Sequence, residues 1–183
     1  MRFLTVVAAS SIVVSVMALA ACATPRPGGG ELVVYANGEA NSMRIEGDRA
    51  WGPAAELRRF DDAYRGTLQG HVVDLHFTED RVHGMVGSSR LDLYVSTVDG
   101  KVHGQGLVNG HISTFDVDAD AIEGSFGSCS YQMKRKGPES DDYLGYRSCS
   151  GSTYPTSRVS IPDYIRALPA MEQATIYALL LAG

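Results

Sequence analysis

Between residues 64 and 126 apolar and polar positions alternate in runs of roughly seven to nine residues, the period of half-buried strands. Two-residue turn signals interrupt the alternation about every ten residues: Gln69-Gly70, Glu79-Asp80, Ser88-Ser89, Asp99-Gly100, Asn109-Gly110 and Ala119-Asp120. Asp-Gly and Asn-Gly favour the positive φ angles of a type I′ hairpin turn, whose twist suits the flanking strands. The turns predict a register. Asp99-Gly100 sets Val95 against Gly104 and Leu93 against Gly106. Asn109-Gly110 sets Gly104 against Phe115 and Val102 against Val117. Ala119-Asp120 sets Phe115 against Gly124 and Val117 against Ile122. Upstream, Glu79-Asp80 sets Leu75 against Gly84, and Ser88-Ser89 sets Leu93 against Gly84.

One face then collects Val73, Leu75, Phe77, Val82, Val86, Leu91, Leu93, Val95, Val102, Val108, Phe115, Val117, Ile122 and Phe126. A one-residue slip would turn this whole set to the other face, so agreement among independent turns argues for an antiparallel meander. A short pattern also recurs: Val82-His83-Gly84, Val102-His103-Gly104, Ile122-Glu123-Gly124, and more loosely Tyr64-Arg65-Gly66. Its glycines fall on the apolar face beside large neighbours, where they allow close approach and a curling sheet. The fold class expected is all-β: an up-and-down meander, curved or closed into a barrel. A parallel solenoid is the competing account of the period, but it has no use for the hairpin turns.

Outside the meander, Leu32 to Tyr35 and Met43 to Ile45 form an expected hairpin around Asn37-Gly38. Pro53 and the Leu57, Phe60 spacing predict a short helix over Ala54 to Phe60. Ser160-Ile161-Pro162-Asp163 reads as a helix start, Pro169 as a restart, and Met171 to Ala182 as a strong helix. Glu172 and Gln173 are its only strongly polar members, so it wants burial nearly all round. The expected place is over the open side or end of the sheet.

The first residues read as a targeting segment: Arg2, an apolar run from Phe3 to Ala18, then Leu19-Ala20-Ala21-Cys22. That ending resembles the lipobox of bacterial lipoproteins. The resemblance covers the first 22 residues of 183 and implies cleavage before Cys22, with lipid on its thiol and new amine. Ala23 after the Cys, rather than Asp, implies the outer membrane in an organism that has one. The competing account is an uncleaved membrane helix. The expected division is a signal peptide over 1–21, a lipidated Cys and tether over 22–30, a β domain over 31–160 and a helical segment over 161–183. With Cys22 assigned to lipid, Cys129 and Cys149 remain as an even pair in an exported chain. They are expected to form a disulfide across the polar run Lys134 to Asp142, with two free thiols as the alternative.

A mildly acidic balance, formally −5, and no basic patch with interleaved aromatics visible in the sequence argue against nucleic acid. The polar face of the meander offers three candidate chemistries. Ser96, His103 and Asp116 fall side by side on successive strands, as in a hydrolytic row with His103 as base. No Gly-x-Ser-x-Gly elbow accompanies them. His76 faces His83, a start for zinc that lacks a third ligand. Asp116, Asp118 and Asp120 give Asp-x-Asp-x-Asp, but Ala121 and Gly127 stand where a calcium loop needs Gly and Glu. His71 and His111 each follow a Gly and read as strand-edge residues.

The leading functional expectation is a lipid-anchored cell-envelope protein without cofactor, whose β scaffold binds or organises an envelope partner. The second is a carrier holding an apolar ligand between curved sheet and helix. Known outer-membrane lipoprotein carriers pair a half-open β barrel with helices, a resemblance of architecture alone. The third is a hydrolase using Ser96, His103 and Asp116.

Overall fold

The computed structural model describes residues 28–36 and 38–182. The expected signal peptide, Cys22 and most of the tether lie outside the described residues. The strands are β1 (Gly29–Ala36), β2 (Glu39–Glu46), β3 (Arg49–Gly52), β4 (Ala55–Phe60), β5 (Ala63–Leu68), β6 (His71–Phe77) and β7 (Arg81–Val86). They continue as β8 (Ser89–Val98), β9 (Lys101–Val108), β10 (His111–Val117), β11 (Ala121–Phe126), β12 (Cys129–Arg135), β13 (Asp142–Cys149) and β14 (Ser152–Ser160). A short α1 (Asp163–Arg166) and a longer α2 (Ala170–Leu181) follow.

Each strand pairs antiparallel with its sequence neighbours, and β1 closes on β14 through Val33↔Ser160, Val34↔Val159 and Tyr35↔Arg158. The meander is thus a closed 14-strand barrel. The expected pairings of Val95, Leu93, Gly104, Phe115, Val117 and Leu75 all occur. The Ser88-Ser89 pairing does not. Gly87, at φ 61°, takes the first turn position, so Leu91 faces Gly84 and Leu93 faces Val82. The error is two residues rather than one, so the inward face survives. Every residue expected on that face is buried except Phe77 and Val86, which are partly buried against the same core.

The predicted helix over Ala54 to Phe60 is absent. Pro53 opens a two-residue turn, and β4 pairs with β5 along its whole length and with β3 from Ala55 to Arg58. Ala55 and Leu57 point inward, and Glu56, Arg58 and Phe60 outward. Ladder pairing on both sides outweighed a weak local helix signal. The β domain also begins earlier than expected, because Gly29 and Gly30 of the supposed tether already pair with β2. The loop between β12 and β13 is likewise shorter than the polar run, covering 136–141.

The repeat is a hairpin. In successive hairpins a large inward residue on the first strand faces a glycine on the second: Leu57↔Gly66, Leu75↔Gly84, Leu93↔Gly106, Phe115↔Gly124 and Met133↔Gly145. At each of these glycines a Cβ would overlap the backbone carbonyl of the preceding strand. Gly104 is a different case. Its added Cβ would strike the Phe115 ring, so it is a socket for that side chain rather than a backbone crossing.

The helix lies inside the barrel, not over an open side. Fourteen strands enclose more space than wall side chains fill, and α2 occupies it. Twelve residues at the helical rise run about 18 Å. Leu179, Leu181 and every residue from Glu172 to Ala178 are buried. Polar groups of the helix are met locally. Gln173 donates to the carbonyls of Arg166 and Leu168, Tyr177 to Gln173, and Thr175 to Met171. Arg59 reaches in from β4 to Glu172 at 3.2 Å. At the far end Tyr131 donates to the Leu181 carbonyl at 2.9 Å.

Candidate functional site on the outer wall

The filled lumen leaves little room at the core. A pocket of about 30 Å³ beside Leu179 and Leu180 is the size of one water, and a wider one of about 240 Å³ opens at the same rim beside Leu68, Val86 and Leu179. The outer wall is where polar side chains gather. Arg58, Arg65, Asp74, Asp92 and His103 project from it in mid-strand, and Arg81 from the start of β7. A barrel that faces lipid carries an apolar band at that height.

Ser96 pairs with His103 and His103 with Asp116, as the register predicted. His103 Nδ1 lies 2.9 Å from Asp116 Oδ1. Ser96 is exposed and has no hydrogen bond to His103, so the nucleophile–base link that would activate the hydroxyl is missing. His76 and His83 face each other with ring centroids 6.1 Å apart, and His76 Nε2 lies 3.4 Å from Asp74. Among the described residues no group of three or more His, Cys, Asp or Glu is arranged to hold a metal.

The Asp-x-Asp-x-Asp segment builds a turn. Asp118 accepts hydrogen bonds from the Asp120 and Ala121 amides at 2.7 Å and pairs with Lys101 at 3.1 Å. Burial alone would raise its pKa, but those amides and Lys101 together hold it below the usual carboxylate range. On the wall, Arg81 grips Asp92 through both Nε and Nη2, with Arg90 adding a third contact. The hydrogen bond from Arg81 lowers the Asp92 pKa against a smaller desolvation effect.

Cys129 and Cys149 face each other on β12 and β13 and form the expected disulfide, with Cα atoms 4.1 Å apart. It closes the open end of that hairpin, next to the helix C-terminus, where Ser128 donates to the Ala182 carbonyl.

One feature escaped the sequence reading. Arg49, Arg58 and Arg65 stand directly opposite one another on β3, β4 and β5. They line a groove of about 450 Å³ together with Glu56, Gly66 and Thr67. Assigning residues 54 to 60 to a helix hid this row. The Pro53-Ala54 and Asp61-Asp62 turns would have exposed it. No family model matches the chain, and no curated protein or solved structure matches it either.

Proposed function

We propose that the protein is a lipid-anchored component of the cell envelope whose closed barrel serves as a non-catalytic binding or structural scaffold. The observation that carries this reading is the packed lumen. With α2 buried on all sides, the surface left for a partner is the outer wall and the two rims. The chain enters β1 at the rim where the helix also enters, since Gly28 and Gly30 adjoin Tyr164 and Pro162. An anchor at Cys22 would tether that rim to the bilayer through residues 23 to 28, which reach at most about 20 Å. The wall and the far rim would then face away from the membrane. Cys22→Ser should yield an unprocessed or soluble chain. A mutant cut to wild-type size that still fractionates with membranes would refute the anchor.

Carriage of an apolar ligand is the second reading, supported by the pocket that opens at the rim beside Leu68, Val86 and Leu179. It would require α2 to give up buried contacts for the ligand. Native mass spectrometry of delipidated protein separates the two readings, because a carrier retains apolar mass.

A further inference from the structure

Across most of the wall, neighbouring strands set opposite charges side by side: Arg65 with Asp74, Arg81 with Asp92, Lys101 with Asp118 and Arg158 with Asp142. Like charges directly opposite on a sheet are destabilising. Yet Arg49 faces Arg58, and Arg58 faces Arg65. These three guanidinium groups flank a single groove.

Each arginine is held from one side. Asp48 binds Arg58 through Nε at 3.1 Å, and Asp74 binds Arg65 through Nε at 3.0 Å. Among the described residues no acceptor meets the terminal nitrogens of either fork. Phe60 lies 5.5 Å below the Arg65 guanidinium, and Trp51 lies 5.4 Å below that of Arg49, which has no carboxylate partner among the described residues. The flanking groups therefore orient the forks while leaving their donors open. Planar forks with open donors recognise oxyanions in bidentate fashion. Glu56 and Thr67 line the same groove and can accept from or donate to hydroxyl groups. Gly66 keeps β4 and β5 close at its floor, where a side chain would overlap the Glu56 carbonyl.

We propose that the groove between β3 and β5 binds a phosphate group carried on a hydroxylated moiety, with Arg49, Arg58 and Arg65 contacting the phosphate and Glu56 and Thr67 the hydroxyls. A polar lipid headgroup and a phosphorylated sugar share that chemistry. The inference concerns the wall alone and stands whether or not Cys22 carries lipid.

The test uses the full chain in non-ionic detergent, titrated with inorganic phosphate, glycerol phosphate and glucose phosphate. Arginine Nε–H resonances of the unmutated protein locate the ligand, which removes any dependence on a variant's folding. Saturable shifts at Arg49, Arg58 and Arg65, with those of Arg90 unmoved, are expected. Each of Arg49→Gln, Arg58→Gln and Arg65→Gln should weaken binding by about tenfold, the usual cost of a lost charge-assisted hydrogen bond. Arg90→Gln, outside the groove, should bind as the native chain does. Tighter binding of glycerol phosphate than of glucose phosphate would assign a lipid headgroup, and the reverse a sugar. Failure of all three probes to saturate overturns the proposal. So does equal binding by a triple variant with the native melting temperature.

Discussion

At one rim of the barrel the connections read Pro53-Ala54, Gln69-Gly70, Gly87-Ser88, Asn109-Gly110, Gly127-Ser128 and Ser150-Gly151, without a charge among them. At the other they hold Asp48, Asp61, Asp62, Glu79, Asp80, Asp99, Asp118, Asp120, Glu139 and Asp141, with Lys136 the one cation. The helix explains part of this contrast. Its N-terminus, the positive end of its dipole, sits at the acidic rim, and its carbonyl end at the neutral one. Two closures follow. The neutral rim is shut by tight turns, a disulfide, and hydroxyl donors to the last carbonyls. The acidic rim is shut by charge. There Arg166 ties the Ile161 carbonyl to Asp141 and Asp163, and Tyr143 donates to the Asp118 carbonyl. One rim should therefore answer to reductant and packing changes, and the other to pH and salt.

The largest effect should come from the helix that joins the rims. Tyr177→Ala removes a fully buried ring and is expected to cost about 3–5 kcal/mol. Urea unfolding would show it, and a loss below about 1 kcal/mol would mean that the helix is dispensable to the barrel. Replacing Cys129 and Cys149 by Ala should cost about 3 kcal/mol for a loop of this length, and reductant should then have no further effect. Tyr131→Phe leaves the Leu181 carbonyl without its hydroxyl donor and Arg147 Nε without its acceptor, and should cost about 1–2 kcal/mol in urea unfolding.

At the acidic rim, Asp118→Asn should cost about 1 kcal/mol at neutral pH. The sign of its pH dependence follows from the lowered pKa. The unfolded carboxylate takes up its proton first, so the stabilisation is complete above the unfolded value near pH 4. It is lost as pH falls through the lower folded value. The acid limb of a stability–pH curve should flatten in the variant, and an unchanged limb would remove Asp118 from the account. The smallest effect is expected from Asp61→Asn, which thins the acidic rim. A gain of about 0.5 kcal/mol or less should appear at low salt and vanish at high salt. The same measurement on Gln69→Asn, at the neutral rim, should show no salt dependence.

Residues 71 to 126 were legible because their turns carry their own geometry. Gln69, Asp99 and Asn109 each adopt positive φ before a glycine that does the same. Two such turns on either side of a strand leave one register that buries the apolar set. Residues 49 to 68 were less legible. Pro53 suits both a first helical turn and a tight loop, and Leu57 with Phe60 satisfies helical spacing even though Phe60 is 44% exposed. Misreading that segment concealed the arginine row. By contrast the Ser96, His103 and Asp116 row and the His76, His83 pair were placed correctly, because their positions depend only on register. Whether Ser96 bonds to His103 depends on side-chain rotamers, which register does not specify.

Local chemistry in the chain was enough to determine the strands of the meander, the inward face, its hairpin turns other than Gly87-Ser88, and a terminal helix that needs burial on all sides. These rest on interactions within ten or twenty residues, where turn type and alternation leave few choices. Tertiary structure decided the rest. Closure rests on three residue pairs between β1 and β14, from opposite ends of the described chain, and no local pattern announces them. The number of strands sets the width of the lumen, and that width decided whether α2 would lie over the sheet or within it. The charge difference between the rims is written in the turns. It became a property of the molecule only when alternate turns were gathered at opposite ends of a closed wall.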